Sequence, residues 1–492
     1  MSYTESTTEE VNHSLNQAQL AFLSYKNFSG KKKASFLRAM ADEIEGLGKD
    51  LVETAMRETN LPEARIVMER GRTTGHCRMF ADLVEEGSWV EARIDTAIPD
   101  RAPVPKPDLR KMLVPLGPVV VFGAANFPMA YSTAGGDTAS ALAAGCPVIV
   151  KAHPAHPETS NLVAKAIFTA MEKTGMPKGV FQHLHGGFEV GQALVKHAHT
   201  KAVGFTGSFA GGKALFDIAN QRAVPIPVFA EMSSINPSVL LPATLKAESA
   251  KIAETLAASI TLGVGQFCTN PGLIIAIADE SLQNFIAALA ENISKIVPGL
   301  MLHQGIADNY NKKLAQSVTQ PGVQVEAKSA TDPSNLQGVP VVASVDATVF
   351  LKNPLLAEEV FGPFSLIVKC KDQQELNAVV SHLHGQLTCS VWGTFEEINK
   401  YSSLINILTE KAGRLIMNGV PTGVEVCPAQ MHGGPFPATT DSRFTAVGAD
   451  AIKRFARPVA FQNFADDLLP DELKASNPLG IWRMYNNEWG KK

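Results

Sequence analysis

Several residue types and patterns are scarce in this 492-residue sequence, and each scarcity excludes a class of protein. The six cysteines include no CxxC pair, which excludes a disulfide scaffold and a zinc ribbon. Neither sign of charge dominates, because 44 Lys and Arg stand against 48 Asp and Glu, so a basic nucleic-acid or anionic-membrane surface is excluded. The acidic, polar start lacks the basic and apolar regions of a secretory signal, and we expect a cytoplasmic protein.

Long uninterrupted apolar runs are also missing. The uncharged stretch 113–136 contains three prolines and four glycines. A membrane-spanning helix needs about 20 mostly apolar residues without such interruptions, so we predict buried strand and loop here. Apolar residues nevertheless make up 45% of the chain, which is enough for a full hydrophobic core.

Strand and helix patterns alternate from residue 118 onward at a spacing of roughly 30 residues, which is typical of βαβ units. The strand-like apolar runs lie at 119–122, 148–150, 180–187, 201–207 and 226–231. This pattern predicts a doubly wound parallel sheet that binds its ligand at the carboxyl ends of the strands. A second alternation after Glu231 predicts a second α/β domain, and the four prolines of 96–112 predict an extended arm.

Three residues have both the chemistry and the position to act on a carbonyl group. Cys268 lies in the loop-like segment GVGQFCTNPG, where a thiolate can be presented, whereas the other five cysteines are interpreted as small buried apolar residues. Glu231 follows the apolar run IPVFA and is either catalytic or solvated. Asn126, in the turn GAANFP, can donate to an oxyanion or bond its own backbone.

Four further features have weaker signals. Lys151 ends the run VIV, where it can reach a ribose or a phosphate or remain solvated. The segment GFTGSFAGG at 204–212 is a glycine-rich turn that suits a pyrophosphate, without the spacing of a Walker A or GxGxxG motif. On their own, EEVFGPF at 358–364 and HGGPFPATT at 432–440 indicate a helix-ending turn and a surface loop.

Taken in order, these segments resemble the NAD(P)-dependent aldehyde dehydrogenase superfamily over residues 10–465. The resemblance rests on GAANFP, VIVKAHP, GFTGS, the glutamate after a strand, GQFC 37 residues later, and EEVFGPF. The sequence departs from the family in having EMSSI where ELGGK is common, and Ala125 where a bulky residue is common. With AHPAHP, CTNPG and HGGPFPATT, it is most similar to the branch that contains α-ketoglutaric semialdehyde (2,5-dioxovalerate) dehydrogenases.

The resemblance implies an α/β fold with a doubly wound parallel-sheet cofactor domain, an α/β catalytic domain and an oligomerisation arm. The cofactor domain would comprise 1–95 and 113–231, the catalytic domain 232–440, and the arm and tail 96–112 and 441–492. It also implies a homodimer or homotetramer that acts on a small-molecule aldehyde, with no metal, nucleic acid or membrane as partner.

The resemblance assigns a role to each candidate residue. Cys268 would be the nucleophile, Glu231 the base that activates water, and Asn126 an oxyanion donor beside the Cys268 backbone N–H. Phe127 would line the substrate tunnel. The implied cofactor contacts are Lys151 and Pro154 at the adenosine ribose, Gly207, Ser208 and Gly212 at the pyrophosphate, and Glu359 with Phe361 at the nicotinamide ribose.

Proline at position 154 predicts that NADP is preferred, with NAD also accepted. NAD-preferring members commonly carry a glutamate there, whose carboxylate would repel a 2′-phosphate. Lys151 would remain as a cation, and His153 could add a hydrogen-bond donor or a partial charge near neutral pH.

The resemblance leaves alternatives open. The substrate could instead be a medium- or long-chain fatty aldehyde oxidised with NADP. A catalytically inactive binding protein is the alternative from another class, although the presence of Cys268, Glu231 and Asn126 together argues against it. Relatives that pass the thioester to coenzyme A commonly lack the glutamate, so Glu231 favours hydrolysis. A ketoacid substrate needs a cation for its carboxylate, and the candidates are Lys106, Arg110 and Lys111 of the arm.

Overall fold

The computed structural model describes residues 3–492, so Met1 and Ser2 of the predicted cofactor segment lie outside the described residues. The α-helices are α1 (Thr8–Tyr25), α2 (Gly30–Gly46), α3 (Gly48–Thr59), α4 (Glu63–Glu86), α5 (Gly136–Ala144), α6 (Pro157–Thr174), α7 (Phe188–Lys196), α8 (Phe209–Asn220), α9 (Pro242–Thr261), α10 (Glu280–Ser294), α11 (Gln304–Val318), α12 (Ala347–Phe350), α13 (Gln373–His382), α14 (Phe395–Lys400) and α15 (Ser402–Lys411). The strands are β1 (Arg93–Asp95), β2 (Leu109–Pro115), β3 (Val119–Phe122), β4 (Val148–Lys151), β5 (Phe181–Leu184), β6 (Ala202–Thr206), β7 (Val228–Glu231), β8 (Ser238–Leu240), β9 (Leu273–Ile277), β10 (Gly299–Leu300), β11 (Gln324–Lys328), β12 (Gln337–Gly338), β13 (Val341–Asp346), β14 (Phe364–Cys370), β15 (Gln386–Trp392), β16 (Ala412–Met417), β17 (Ala456–Gln462), β18 (Arg483–Tyr485) and β19 (Glu488–Gly490).

The first large sheet is parallel throughout and has the order β5-β4-β3-β6-β7. Its central strand β3 is apolar and buried at every residue, as a strand covered by helices on both faces must be. Val119 and Val121 pack into a cluster with residues of α2, α4, α5 and α6, while Val120 packs with residues of α1, α7 and α8. These layers confirm the predicted doubly wound parallel sheet.

The second large sheet has seven strands in the order β11-β13-β14-β9-β8-β15-β16. Only β11 is antiparallel to its neighbour in this sheet as described. One apolar cluster covers each face, with α9 and α10 supplying the residues of one of them. The predicted second α/β layer is therefore present, and β11, β13 and β16 add strands that the sequence pattern did not indicate.

The proline-rich stretch after residue 95 lies between β1 and β2, which belong to a separate sheet of order β17-β2-β1-β18-β19. The tail strands β18 and β19 were not predicted from the sequence. Within residues 3–492, no helix has both the length and the apolarity needed to cross a bilayer. The predicted division of the chain into domains stays a prediction.

Candidate active site

Three of the candidate residues lie at one edge of the first sheet. Glu231 ends β7, Lys151 ends β4, and Asn126 lies in the turn that follows β3. Because these strands are parallel, their carboxyl ends lie on the same side of the sheet, where open α/β folds bind ligands.

Cys268 reaches this edge on a tight loop after α9. Residues Gly263, Val264 and Gly265 all have positive φ angles, of 53°, 60° and 64°. Gly265 cannot be replaced by a larger residue without movement, since a Cβ there would lie 2.3 Å from the carbonyl of Gly362. The valine pays a conformational cost of about 1–2 kcal/mol at this angle, and the surrounding packing must offset it.

The loop is held by a buried amide that the sequence analysis did not select. The Asn236 Nδ2 atom donates to the backbone carbonyls of Cys268 at 2.8 Å and Asn270 at 2.9 Å. Gln386 Oε1 in turn accepts from the Asn236 N–H at 3.2 Å. Asn236 lies in EMSSINPSV, the segment that departs from the common family pattern, so that departure still supports the nucleophile loop.

His432 completes a triangle with the two predicted catalytic residues. Its Nε2 atom lies 3.0 Å from Glu231 Oε2 and 3.7 Å from Cys268 Sγ. One ligand-capable atom from each of the three residues lies within 4.8 Å of the other two. His432 and Glu231 are both buried, while Cys268 is partly exposed. Sequence reasoning missed His432 because the segment HGGPFPATT was interpreted as a surface loop.

Backbone pairing explains why this distant loop reaches the site. The segment runs antiparallel beside β7, with Thr439 opposite Glu231. The Met232 N–H donates to the Ala438 carbonyl at 2.8 Å, and the Thr440 N–H donates to the Ala230 carbonyl at 3.1 Å. The polar, proline-containing segment 432–440 therefore pairs with the outer edge of β7, next to Glu231.

The charges in the triangle favour a protonated thiol beside an ionised carboxylate. Burial raises the pKa of Cys268 well above its usual value, and the neighbouring Glu231 raises it further. Burial alone would raise the pKa of Glu231, but contacts with His432 and Cys268 and the charge of Arg454 lower it overall. Glu231 is thus a base within reach of the thiol.

The structure also brings Asn126 and Phe127 close to Cys268. The Asn126 Nδ2 atom donates to the carbonyl of Gln266, two residues before Cys268, at 3.1 Å. The second N–H of this amide is left for an oxyanion. Phe127 meets Phe267 edge to face, with their ring centroids 5.8 Å apart, and so lines the space beside Cys268.

At the adenosine end, Lys151 has an acidic neighbour from the N-terminal segment. Burial lowers the pKa of Lys151, and the charge of Glu5 partly opposes that effect. Glu5 Oε1 also lies 3.2 Å from the position a Cβ would take on Gly187, so the carboxylate lies over the ends of β4 and β5. The Ser6 N–H donates to the His185 carbonyl at 2.9 Å and fixes this segment.

The histidine expected to add charge near Lys151 does not do so. Burial lowers the pKa of His153 well below its usual value, and His156, Lys151 and His303 lower it further. His153 is therefore neutral near pH 7, and the expectation of a partial charge was wrong. Pro154 is exposed in the adjoining turn.

The residues expected at the pyrophosphate lie at the start of α8. Ser208 caps this helix by accepting from the Gly211 N–H at 3.2 Å, and both Ser208 and Gly207 are exposed. Gly212 lets the helix approach β7, because a Cβ there would lie 2.7 Å from Met232. The exposed helix N-terminus suits a pyrophosphate, and these residues fit NAD(P).

Glu359 and Phe361 line a cavity that also contains Phe267 in its wall. Burial raises the pKa of Glu359 to about 7, with hydrogen bonds from Ser233 and from the Ser234 backbone opposing the shift. This carboxylate is therefore close to half ionised at neutral pH, at a place where ribose hydroxyls would need an acceptor.

Two other sets of candidates have different surroundings from those expected. Of the five cysteines interpreted as buried, Cys427 is partly exposed, so that interpretation was wrong for it.

In the arm, Lys106 pairs with Asp95 at 3.1 Å, and Arg110 pairs with Asp108 and Asp466. These pairs neutralise cations that were candidates for a substrate carboxylate.

Comparisons with known proteins place this geometry in context. The model described as "Aldehyde dehydrogenase family" matches residues 1–436. The chain is 52% identical to alpha-ketoglutaric semialdehyde dehydrogenase 2 of Azospirillum brasilense, over 97% of this chain and 91% of the relative. It is 46% identical to alpha-ketoglutaric semialdehyde dehydrogenase of Acinetobacter baylyi, over 98% of this chain and 92% of the relative. A crystal structure of Staphylococcus aureus betaine aldehyde dehydrogenase with NAD⁺ shares the fold, with a TM-score of 0.79, 20% identity and coverage of 94% and 90%.

Proposed function

The chain belongs to the aldehyde dehydrogenase family, which confirms the predicted class of activity, and on this premise we propose that it oxidises 2,5-dioxovalerate with NADP as the preferred cofactor. The observation that carries the proposal is the contact of Cys268, Glu231 and His432 at the carboxyl ends of a doubly wound parallel sheet, where such folds bind nucleotides. The two relatives that match nearly the whole chain are both named for this semialdehyde, which supports the substrate.

In the first half-reaction, Glu231 takes the proton of the Cys268 thiol, and the thiolate attacks the aldehyde carbon. The remaining Asn126 N–H and the Cys268 backbone N–H hold the oxyanion that forms. A preorganised donor of this kind is typically worth roughly 10²–10³ in rate. NAD(P), when bound, supplies the hydride acceptor, and the substrate carbon is left as a thioester on Cys268.

In the second half-reaction, Glu231 releases its first proton to solvent and then takes one from a water molecule. The resulting hydroxide attacks the thioester, the C–S bond breaks, and the carboxylic acid leaves while Cys268 regains a proton. His432 Nε2 lies 3.0 Å from Glu231 Oε2 and is the ring atom that faces the carboxylate. Its Nδ1 atom is buried without a hydrogen-bond partner among the described residues, so Nε2 is the ring atom placed to act on Glu231.

The cofactor preference rests on the group that faces the adenosine ribose. Position 154 holds an exposed proline, so the acceptor that would suit ribose hydroxyls and repel a 2′-phosphate is missing there. Lys151 provides a partly buried cation at the end of β4. We expect kcat/KM to favour NADP about tenfold, since one charge-assisted contact is sufficient for that ratio. Pro154→Glu should move the ratio toward NAD.

A panel of aldehydes tests the substrate. We expect kcat/KM for 2,5-dioxovalerate to exceed the values for succinic semialdehyde, glutaraldehyde and a long-chain aldehyde. If a long-chain aldehyde is better by about tenfold, the fatty aldehyde dehydrogenase alternative replaces this proposal. Cys268→Ser should reduce turnover to less than a hundredth, because a serine hydroxyl lacks thiolate character.

Members of this family are generally oligomeric, and we propose that this chain forms a homodimer or homotetramer through its sheet edges. The edge strand β16 exposes Leu415 and Met417. Strand β17 lies at one edge of the sheet that also contains β1 and β2. The outer edge of such a strand has unpaired backbone groups, and exposed apolar residues on it favour pairing with another chain. Light scattering of the purified protein measures the state directly, and a monomer would contradict the proposal.

A further inference from the structure

A cation lies in the aromatic wall beside the nucleophile, and the mechanism above gives it no part. The Arg65 guanidinium carbon is 4.3 Å from the Phe127 ring centroid and 5.2 Å from the Phe267 centroid. Phe267 directly precedes Cys268 in the chain. The guanidinium therefore packs on the ring of the residue next to Cys268. Burial lowers the pKa of Arg65, and the guanidinium is close enough to Cys268 for the charge of a thiolate there to oppose that effect.

Arg65 has hydrogen-bonding capacity left over. Among the described residues its acceptors are Glu69 Oε2, at 3.3 Å from Nη1, and the Asn126 carbonyl, at 3.4 Å from Nη2. A guanidinium carries five N–H donors, so three remain. Both contacts are long for charge-assisted hydrogen bonds, so the guanidinium can bind a further acceptor more strongly than it binds these two.

The acid beside Arg65 has a structural task of its own. Glu69 Oε1 accepts from the N–H groups of Met129 at 2.9 Å and Ala130 at 3.0 Å, and so holds the turn that leads from Phe127 to α5. This carboxylate is completely buried. The single negative charge of Glu69 balances only one of the positive charges in the aromatic wall.

Arg72 is a second cation in the same wall. It lies seven residues further along α4, on the same face, and its guanidinium carbon is 5.9 Å from the Tyr131 ring centroid. Arg72 donates to the Val424 carbonyl and, at 3.5 Å, to the Tyr131 hydroxyl. α4 therefore supplies two cations and one anion to this wall, apart from the Glu231 carboxylate beside Cys268, and Arg65 is the cation whose side chain makes the weaker contacts with the protein.

We propose that Arg65 binds the carboxylate of the substrate and so selects semialdehydes of organic acids over uncharged aldehydes. The inference rests on the proposed function, because it needs a substrate that carries a carboxylate. Stacking on two rings leaves the planar edge of the guanidinium free for a bidentate contact. An extended five-carbon acid spans roughly 5 Å between its end carbons, given C–C bonds of about 1.5 Å, so the carboxylate of such a substrate needs a cation in the immediate surroundings of Cys268.

The test compares two five-carbon substrates, 2,5-dioxovalerate and pentanal, on Arg65→Gln. We expect KM for 2,5-dioxovalerate to rise about 20-fold or more, kcat to change less than about threefold, and kcat/KM for pentanal to stay within about threefold. Arg65→Lys, which keeps the charge without the fork, should recover part of the loss. Arg70→Gln is the matched control, because Arg70 lies on the same helix and donates to the Gly48 carbonyl at 2.9 Å.

The outcomes separate this inference from the proposed function. An unchanged KM for 2,5-dioxovalerate, an equal loss with both aldehydes, or an effect confined to Arg72→Gln would each overturn the role of Arg65. If the wild type does not favour 2,5-dioxovalerate over pentanal, the proposed function fails. The inference would still stand if Arg65→Gln then selectively weakened succinic and glutaric semialdehydes. Retained pentanal turnover shows that Arg65→Gln is folded. If that variant does not fold, the double variant Arg65→Gln with Glu69→Gln, which restores the charge balance, is tested in its place.

Discussion

His432 gives the sharpest test of how the thiol becomes reactive. Its Nε2 atom lies between Glu231 Oε2 at 3.0 Å and Cys268 Sγ at 3.7 Å, and its Nδ1 atom has no described partner. A donor on Nε2 can reach the carboxylate in the resting site. It can then turn to the sulfur once the thiol has been deprotonated. His432→Ala removes this donor and leaves Glu231 as the base.

The expected magnitude follows from the donor that is lost. A hydrogen bond to a charged group contributes about 1.5–3 kcal/mol, and about 1.4 kcal/mol is a factor of ten in rate. We therefore expect alkylation of Cys268 by iodoacetamide at pH 7 to slow about 10- to 100-fold in His432→Ala. The inflection of the pH–rate profile should move to higher pH, since the thiolate has lost a stabilising contact. His432→Gln keeps an N–H donor and should recover most of the rate.

The assay needs a background in which one thiol reacts. Cys427 is the other partly exposed cysteine, so all variants are made with Cys427→Ser, and His197→Ala serves as a histidine control away from the triangle. An alkylation rate for His432→Ala within about twofold of the parent would refute the argument. A rate for His432→Gln as low as that for His432→Ala would show that the imidazole acts as a base and not as a neutral donor.

Four further predictions test other parts of the site. Glu231→Gln should form its first equivalent of NAD(P)H more slowly than the wild type, because Cys268 loses its base, and should then turn over roughly 10²–10⁴ times slower, because the thioester also lacks its base; a normal steady-state rate would remove Glu231 from the mechanism. Glu5→Gln should lower KM for NADP several-fold and leave KM for NAD unchanged, because the carboxylate near Lys151 would no longer repel a 2′-phosphate; an unchanged ratio of the two KM values contradicts this. The pKa of Glu359 is raised to about 7, and its ionised form is the acceptor, so KM for the cofactor should fall as the pH rises through 7, whereas Glu359→Gln should show a flat profile; a flat wild-type profile would count against the role. Gly338→Val places a methyl group in the space of Val264, since a Cβ there would lie 2.8 Å from Val264 Cγ1, and this should displace the nucleophile loop and slow alkylation of Cys268; Val264→Gly in the same chain should restore the rate, and failure to restore it would show that the loop was not the part displaced.

The strands that carry the site could be predicted because their signals are local. The runs that became β3, β4, β6 and β7 are short, apolar and bounded by glycine or proline, so the chain itself marks where each carboxyl end lies. Cys268, Glu231 and Asn126 follow from those ends together with the spacing of the family motifs. The structure brings all three to one place.

The residues that were missed depend on contacts between distant parts of the chain. His432 reaches Glu231 because Thr439 pairs with β7, a contact across some 200 residues that no local pattern reveals. No local pattern marks Arg65, because its contacts with Phe127 and Phe267 join three distant segments of the chain. The error over the charge of His153 has a related origin, because the tertiary packing that buries it, and the contribution of His303, come from outside its own segment.

The distribution of charge in the triangle also explains why one carboxylate can serve both half-reactions. In the resting site the proton stays on sulfur, since burial and Glu231 raise the pKa of Cys268, and a protonated thiol is slow to react with oxidants. Once the thioester has formed, the sulfur can no longer hold a proton or a negative charge. Glu231 then keeps His432 and the more distant Arg454 as its charged or polar partners, both of which lower its pKa and favour the ionised form. After its first proton has left, Glu231 is therefore available to take the proton of the attacking water, and the covalent step itself prepares the base for the hydrolysis that follows.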